Sequence, residues 1–318
     1  MNGRLLSRYG RRAGKRALFL LPLLAAAVLA AEIFLRASGL DWKLLDKMLY
    51  RQRNDADAHR IDLNPDILYR LRPGRFGDDA HRVSINSFGF RGPERSAEKP
   101  AGVFRILVEG GSNVYGQGLN DEDTWPARLE ERLNEGPGAG RFEVWNQGTC
   151  AYVGAQMAVL AREAAEKYDF DLAILALSNQ GDRAFLWGSS AQPVFEANPA
   201  LWSNLMSSSE DRGAVDFGTV ARPGWLRASA LYRYLALGLR VRKGYTHLSI
   251  ADPESRNAAM IREFITWAEE RMKTCVFLCP AVEPDLYTDY WRGTGAPVFT
   301  LRADGKPAEY ADLHPRRR

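Results

Sequence analysis

Residues 104–116 read Phe-Arg-Ile-Leu-Val-Glu-Gly-Gly-Ser-Asn-Val-Tyr-Gly, and this stretch decides the fold. The run from Val103 to Val108 is rich in β-branched and aromatic residues and predicts a strand. Glu109-Gly110-Gly111 ends that strand in a turn. A serine that follows two glycines at a strand-to-helix turn can present its hydroxyl and its own backbone N–H to a substrate. Ser112 is therefore the first candidate functional residue.

Strands and helices alternate on both sides of this stretch. The sequence predicts strands at 103–108, 142–145, 172–177, 275–279 and 297–301, and helices at 123–133, 154–168, 226–241 and 253–272. Such alternation, with apolar strands, predicts an α/β domain whose parallel sheet is covered by helices on both faces. Ligands of such sheets bind outside the carboxyl ends of the strands.

Polar residues at further strand ends and near the C-terminus extend the candidate site. Gly148 follows the second strand, Asn179 follows the third, and Asp312 and His314 lie in the last segment. A glycine N–H and an asparagine amide can bind a developing oxyanion, and a histidine can take the serine proton. Each residue also has an ordinary alternative. Ser112 could cap a helix, Gly148 and Asn179 could be turn residues, and His314 could be an exposed residue without a role.

The N-terminal region predicts a membrane anchor. Residues 1–16 form a basic segment that we expect in the cytoplasm, and residues 17–36 form an apolar stretch just long enough to span a bilayer. This orientation exports everything that follows. A cleavable signal peptide is the alternative, because Val28-Leu29-Ala30 offers small residues to a peptidase. Residues 37–63 are expected to form a stalk, and residues 64–318 the main domain, with an irregular insertion at 185–248.

Composition excludes several classes of function. The net charge is +4, but the basic excess lies at the two ends of the chain, and no basic stripe for nucleic acid is found. The four histidines are scattered without ligand spacing, so neither a metal nor another cofactor is expected. A nucleotide-binding glycine motif is also missing. The cysteines, Cys150, Cys275 and Cys279, are expected to be buried thiols.

Several blocks of the chain resemble the SGNH (GDSL-type) hydrolases. They are Phe104 to Gly116, Asp121 to Pro126, Val144 to Gly148 and Asp171 to Asn179. Asn86 to Gly92 also resembles a lead-in found in membrane-anchored members. The match covers most of Asn64 to Pro315 and is weakest from Phe185 to Leu248.

The resemblance implies a flavodoxin-like three-layer sandwich with Ser112 as nucleophile. It further implies an oxyanion hole formed by the backbone N–H groups of Ser112 and Gly148 with the side chain of Asn179, and His314 as the base. Asp312 is the candidate acid that orients His314. The implied reaction is acyl transfer through an acyl-Ser112 intermediate, on an ester of an envelope or surface carbohydrate or lipid.

Departures from the family pattern leave a second interpretation of the function open. Gly111 stands where the family has Asp, Leu177 and Gln180 replace the Gly and Asp of the third block, and Ala311 stands three residues before His314. The family also continues beyond the point where this chain stops. These departures favour the alternative of a catalytically weak or inactive domain that binds a glycan or an envelope partner.

Overall fold

The structure is a computed structural model of the chain. It describes residues 3–48, 56–77, 81–138, 140–177, 183–184, 191–198, 226, 228–242, 250–251, 254–278 and 296–300. The strands in these ranges are β1 (His59–Ile61), β2 (Tyr69–Leu71), β3 (Gly74–Gly77), β4 (Arg82–Ile85), β5 (Phe104–Gly110), β6 (Phe142–Asn146), β7 (Leu172–Leu177), β8 (Arg183–Ala184), β9 (Ile250–Ala251), β10 (Lys273–Leu278) and β11 (Val298–Thr300). The helices are α1 (Gly3–Ser38), α2 (Leu40–Met48), α3 (Ser112–Tyr115), α4 (Trp125–Leu133), α5 (Gly154–Lys167), α6 (Gln192–Ala197), α7 (Ala230–Arg242) and α8 (Glu254–Ala268).

The central sheet has five strands in the order β11-β10-β7-β5-β6, and every neighbouring pair is parallel. Numbered along the chain, this order is 2-1-3-4-5, which is the flavodoxin-like arrangement. Strand β7 contains only leucine, alanine and isoleucine and is almost entirely buried, as expected of a strand covered on both faces.

Helices cover both faces of the sheet. Helix α4 packs Trp125, Leu129 and Leu133 against one face. Helices α5 and α8 cover the other face, where Phe264 and Ile265 of α8 join the main hydrophobic core. The predicted flavodoxin-like three-layer α/β/α sandwich is therefore confirmed.

A lead-in of short antiparallel pairs precedes the sheet. Strand β1 pairs with β2, and β3 pairs with β4. After β4 the chain turns through Asn86, whose side-chain Oδ1 accepts hydrogen bonds from the backbone N–H groups of Phe88 (3.1 Å) and Phe90 (2.9 Å). Arg91 then forms a bridge with Asn146 at the end of β6. The lead-in is thereby attached to the edge of the sheet beside the candidate site.

One helix in the described part of the chain is long and apolar enough to cross a membrane. Its candidate span is Leu20–Ser38, within α1, and only 6% of its most apolar window is buried. The predicted anchor at residues 17–36 lies within the same helix.

The end of this helix is attached to α7. The carboxylate of Glu32 accepts hydrogen bonds from the backbone N–H groups of Ala230 (3.0 Å) and Leu231 (2.8 Å). These N–H groups lie in the first turn of α7, where the helix itself offers them no acceptor. An acidic side chain at this position therefore stabilises the helix.

Helix α2, in the predicted stalk, packs into the domain. Trp42, Leu45 and Met48 are buried in the main core. The buried Asp41 pairs with Arg233 of α7 at 2.6 Å, and the Arg233 guanidinium lies 4.6 Å from the centre of the Trp42 ring. The part of the predicted stalk that forms α2 is therefore fastened to α7, whereas His59–Ile61, also within the predicted stalk, form β1 and pair with β2. Residues 49–55 lie outside the described ranges.

The predicted insertion at 185–248 is described only in part. The predicted helix at 226–241 corresponds to α7, which begins at Ala230, and α6 also lies within the insertion.

Candidate functional site

Ser112 lies where the strand order reverses. Strand β5 ends at Gly110. The chain passes from β5 to β6 on one side of it and then crosses back to β7 on its other side. In open α/β sheets, ligands bind in the crevice outside the carboxyl ends of the strands at such a reversal. The sequence of the first block thus brings a serine to the position that the topology favours for a ligand.

The turn between β5 and α3 is tight and depends on glycine. A Cβ atom placed on Gly110 would lie 2.3 Å from Cγ2 of Val114 and 2.8 Å from the carbonyl oxygen of Ala176. Both distances are shorter than van der Waals contact. Only glycine therefore fits this turn as it is built, and the close packing fixes the direction in which α3 leaves the strand.

Ser112 is the first residue of α3, and Gly111 occupies the N-cap position without a side-chain hydrogen bond. Ser112 is half-buried, and within the described residues its hydroxyl makes no hydrogen bond. Its backbone N–H also has no acceptor in that part of the chain. The helix-capping alternative for Ser112 is therefore wrong, because a capping serine would stand one residue earlier and bond its hydroxyl to the first turn.

Gly148 lies directly against α3. A Cβ atom on Gly148 would lie 2.2 Å from the backbone nitrogen of Tyr115 and 2.6 Å from the carbonyl carbon of Val114. The structure thus brings the ends of β5 and β6 together. The backbone N–H of Gly148 is, however, already used, because it donates to Oδ1 of Asn146 at 2.9 Å. Its role as an oxyanion donor stays a prediction, and it requires Asn146 to share or release this N–H.

The carbonyl groups at the C-terminal end of α3 are bound by two side chains. Asn146 Nδ2 donates to the carbonyl of Val114 at 2.9 Å. Arg91 Nη1 donates to the carbonyls of Tyr115 (2.7 Å) and Gly116 (2.9 Å). A helix of four residues cannot satisfy its own carbonyl groups, so these external donors are what hold it in place.

The Arg91 side chain is completely buried and fully used. Its Nη2 donates to the carbonyl of Leu119 at 2.6 Å, its Nε pairs with Asp121 at 3.0 Å, and its guanidinium lies 4.8 Å from the centre of the Tyr115 ring. A buried charge is stable only when it is paired and hydrogen-bonded in this way. Arg91 therefore fixes both α3 and the loop after it.

Sequence reasoning missed the role of Arg91. It assigned Asn86 to Gly92 only as a lead-in, and the available signal was the arginine in that block together with Asp121 in the following one.

A buried acid also lies next to the turn. Glu109 is completely buried in β5, and its Oε1 accepts the backbone N–H of Gly110 at 3.1 Å. Within the described residues its Oε2 has no hydrogen-bond partner. Burial raises the pKa of Glu109 well above its ordinary value of 4.5. Glu109 therefore carries a proton to higher pH than an exposed glutamate, and sequence reasoning did not identify it.

The remaining candidate residues, Asn179, Asp312 and His314, lie outside the described residues. Strand β7 pairs with β5 up to Ala176 beside Gly110, so the carboxyl end of β7 lies at the same edge of the sheet as Ser112. Among the described residues, no group of three His, Cys, Asp or Glu side chains could hold a metal ion. Of the cysteines, Cys150 is buried, and burial raises the pKa of Cys275 to about 11.

Comparisons with known proteins give a distant structural likeness. No family model matches the chain, and no curated protein matches it. Among solved structures, the chain is similar to AlinE4, described as an SGNH-hydrolase family esterase, at 14% sequence identity and a TM-score of 0.31 over 63% of this chain and 77% of that chain. Two mutants of the same esterase match over the same shares, at 15% identity with a TM-score of 0.30 and at 13% identity with a TM-score of 0.32.

Proposed function

We propose that this chain is an exported, membrane-anchored serine esterase or O-acyltransferase of the SGNH type. The observation that carries the proposal is the state of Ser112. Its hydroxyl and backbone N–H are both unbonded within the described residues, at the end of the central strand where the strand order reverses. A nucleophile and an oxyanion donor are two of the groups that acyl transfer requires, and the third is a base that activates the serine.

The reaction begins when the Ser112 hydroxyl oxygen attacks the carbonyl carbon of an ester. The Ser112 N–H then stabilises the oxyanion, with Gly148 and Asn179 as the further donors. The ester C–O bond breaks, and the leaving alcohol takes the proton that the base removed from the serine. His314 is the base and Asp312 its orienting acid in this proposal.

An acyl-Ser112 intermediate has two outcomes. Attack by water releases the acid and makes the chain an esterase, whereas attack by a second hydroxyl makes it an O-acyltransferase. An exported position favours an ester of an envelope or surface carbohydrate or lipid as the substrate. Alkaline release and quantification of esters from surface polysaccharide should reveal a change in a deletion strain. Unchanged ester content would exclude the carbohydrate substrate.

The membrane placement rests on α1. The exposed apolar side chains within its candidate span would face lipid, and the basic residues before it would stay in the cytoplasm. An alkaline phosphatase fused after Arg318 should be active, because that enzyme folds only outside the cytoplasm. If the phosphatase fusion were inactive and a green fluorescent protein fused at the same position were fluorescent, the main domain would lie in the cytoplasm and the proposed orientation would be wrong.

Fluorophosphonate labelling of the full-length chain in detergent tests the catalytic proposal. The probe phosphorylates an activated serine oxygen and loses fluoride. We expect wild type to be labelled, Ser112→Ala to be unlabelled, and His314→Ala to be slower by about a hundredfold or more, which is typical for loss of a general base.

A matched serine controls for nonspecific labelling. Ser96 is exposed and lies away from the turn, so Ser96→Ala should label like wild type. Wild-type labelling no greater than that of Ser112→Ala would reject a catalytic serine.

The alternative is a catalytically weak or inactive domain that binds a glycan or envelope partner. Two observations favour it: the N–H of Gly148 is used by Asn146, and Gly111 supplies no side chain at the N-cap. Under this alternative, wild type is not labelled by fluorophosphonate. Wild type and Ser112→Ala then bind the same members of a glycan array.

A further inference from the structure

Helix α7 exposes large apolar side chains on the outside of the protein. Leu235 and Leu239 lie about one turn apart and are 54% and 50% exposed, and Tyr234 and Val241 beside them are exposed as well. With about 3.6 residues per turn, these four side chains fall on one side of the helix and form the outward face of α7. A helix at the surface of a soluble domain carries polar and charged residues on such a face.

The inward face of α7 buries charge instead. Arg233 and Arg240 are only 8% and 2% exposed, and Arg233 pairs with Asp41 of α2 at 2.6 Å. Leu237, on the same face, joins the main core. The helix therefore has arginines inside and leucines outside, which is the reverse of the pattern expected of a helix that faces water. A group of exposed apolar side chains of this kind marks a contact with another molecule or with a membrane.

The start of α7 is held at the depth of the membrane surface by α1. Glu32 accepts two backbone N–H groups from the first turn of α7, at 2.8 and 3.0 Å, and Arg36 Nη2 donates to the carbonyl of Ala228 at 2.6 Å. Glu32 lies six residues before Ser38, where the candidate span ends, and six residues of helix are about 9 Å long. In the proposed membrane placement, the first turn of α7 therefore lies no farther out than the point at which α1 leaves the bilayer.

The contact with α2 keeps α7 near the same surface. Asp41, the partner of Arg233, follows the end of the candidate span by only three residues. The inward face of α7 is thus turned towards α2 and the core, and the outward face is directed away from them. Arg242, in the last turn of α7, is exposed and can pair with the phosphate of an anionic lipid. Lipid is therefore the molecule that already lies at the depth where this apolar face begins.

We propose that the outward face of α7 lies in the headgroup layer of the bilayer that α1 crosses. Leu235 and Leu239 reach the acyl chains, and Arg242 lies at the lipid phosphates. Helices of this kind bury their apolar face about 5–10 Å into the boundary between headgroups and acyl chains. The contact holds the main domain close to the lipid. This proposal rests on the membrane placement in the proposed function and is independent of catalysis by Ser112.

Fluorescence quenching by lipid in the full-length chain tests this contact. The chain is reconstituted in vesicles of phosphatidylethanolamine and phosphatidylglycerol, and a fluorescent maleimide is attached in turn at Leu239→Cys, Leu29→Cys and Glu131→Cys. Position 29 lies within the candidate span, and position 131 lies on α4, across the sheet from α7. Wild type treated with the same maleimide gives the background from the native cysteines. A lipid with a nitroxide near the top of its acyl chain quenches only labels that lie close to it.

We expect the nitroxide lipid to remove most of the fluorescence at position 239 and little at position 131. A nitroxide deep in the acyl chain should quench position 29 more strongly than position 239. Quenching at 29, with position 239 no more quenched than position 131, would overturn the α7 contact and leave the anchor intact. If neither 29 nor 239 were quenched, the membrane placement itself would be wrong, and the α7 contact with it. A disulfide between two chains at position 239 without lipid quenching would assign the face to a second copy and overturn the proposal as well.

A charge on the outward face provides the second test. Leu235→Asp, introduced into the Leu239→Cys chain, should remove most of the quenching at position 239, because the aspartate must stay in water. Arg132→Asp, on the exposed side of α4, is the matched control and should leave that quenching unchanged. Circular dichroism checks that both variants are folded. Equal quenching in the two variants would mean that the apolar face does not hold α7 at the lipid.

Discussion

Arg91 Nη1 donates a hydrogen bond of 2.7 Å to the carbonyl oxygen of Tyr115, and the same guanidinium lies 4.8 Å from the centre of the Tyr115 ring. One residue of the lead-in therefore holds both the backbone and the side chain of the last residue of α3. Because Ser112 begins that four-residue helix, its position depends on a residue 21 positions earlier in the chain.

Arg91→Lys should destabilise the protein and misplace Ser112. Lysine cannot reproduce the planar fork of donors that Arg91 directs at four backbone carbonyls and at Asp121. Breaking a buried charged network costs about 3 kcal/mol or more in the free energy of unfolding. Thermal unfolding followed by circular dichroism should therefore give a melting temperature lower by about 6–12 °C. Fluorophosphonate labelling of Ser112 should decrease together with the melting temperature.

The matched control for this prediction is Arg82→Lys. Arg82 also approaches Asp121, at 4.0 Å, but 63% of its side chain is exposed. Exposed ion pairs contribute about 1 kcal/mol or less, so the melting temperature should change little. If Arg91→Lys melted at the same temperature as Arg82→Lys, the anchoring role of Arg91 would be refuted.

Gly148→Ala should displace α3 even though the change adds one methyl group. The new Cβ would lie 2.2 Å from the Tyr115 backbone nitrogen, and backbone cannot move aside as a flexible side chain can. Overpacking of this kind costs about 1–3 kcal/mol. We expect a lower urea midpoint and the loss of most Ser112 labelling, because the helix that carries the serine must shift.

Gly238→Ala provides the comparison. Gly238 lies within α7, and a Cβ there would meet nothing within 4 Å. Alanine favours a helix over glycine by about 0.5–1 kcal/mol, so this variant should be slightly more stable than wild type. Equal urea midpoints for the two variants would mean that Gly148 is not closely packed.

Short sequence patterns predicted those strands and helices whose bounds are determined by neighbouring residues. Strand β7 was predicted at its observed bounds, because an unbroken apolar run between polar turns is typical of a strand buried on both faces. Helix α4 was predicted from residue 123 and begins at Trp125, with Thr124 as its N-cap, because the Thr124 Oγ1 accepts the Ala127 N–H. The start of α7 was predicted at residue 226 and lies at Ala230, where Ser229 caps the helix by accepting the Tyr232 N–H at 3.1 Å and Glu32, almost 200 residues earlier in the chain, accepts the Ala230 N–H.

Local and long-range signals also differ in how well they predict the candidate site. Ser112 and its glycine turn could be predicted because a serine after two glycines at a strand end is a local pattern. The roles of Arg91 and Asn146 were not predicted, because they arise from contacts with α3 between residues that are 24 and 32 positions apart in sequence. Sequence alone does not distinguish a buried arginine from an exposed one.

Glu109 gives the protein a pH dependence with a defined sign. Burial raises the pKa of Glu109 in the folded state well above the ordinary value of 4.5. At pH values between 4.5 and the folded-state pKa, the folded protein therefore binds more protons than the unfolded protein. The stabilisation is complete below pH 4.5 and is lost as the pH rises towards the folded-state pKa.

Glu109→Gln should remove this dependence, because glutamine stays neutral at every pH. Relative to wild type, the variant should gain up to about 1.4 kcal/mol in the free energy of unfolding for each pH unit above 4.5, until the folded-state pKa is reached. Urea unfolding at pH 5, 6 and 7 measures this difference. Glu122→Gln is the control: hydrogen bonds from the backbone N–H of Glu122 and from Arg82 lower the pKa of that carboxyl, so its effect should be constant over the same range. A constant difference for Glu109→Gln as well would mean that Glu109 is ionised in the folded protein, and that the acid beside the Ser112 turn has a charged partner.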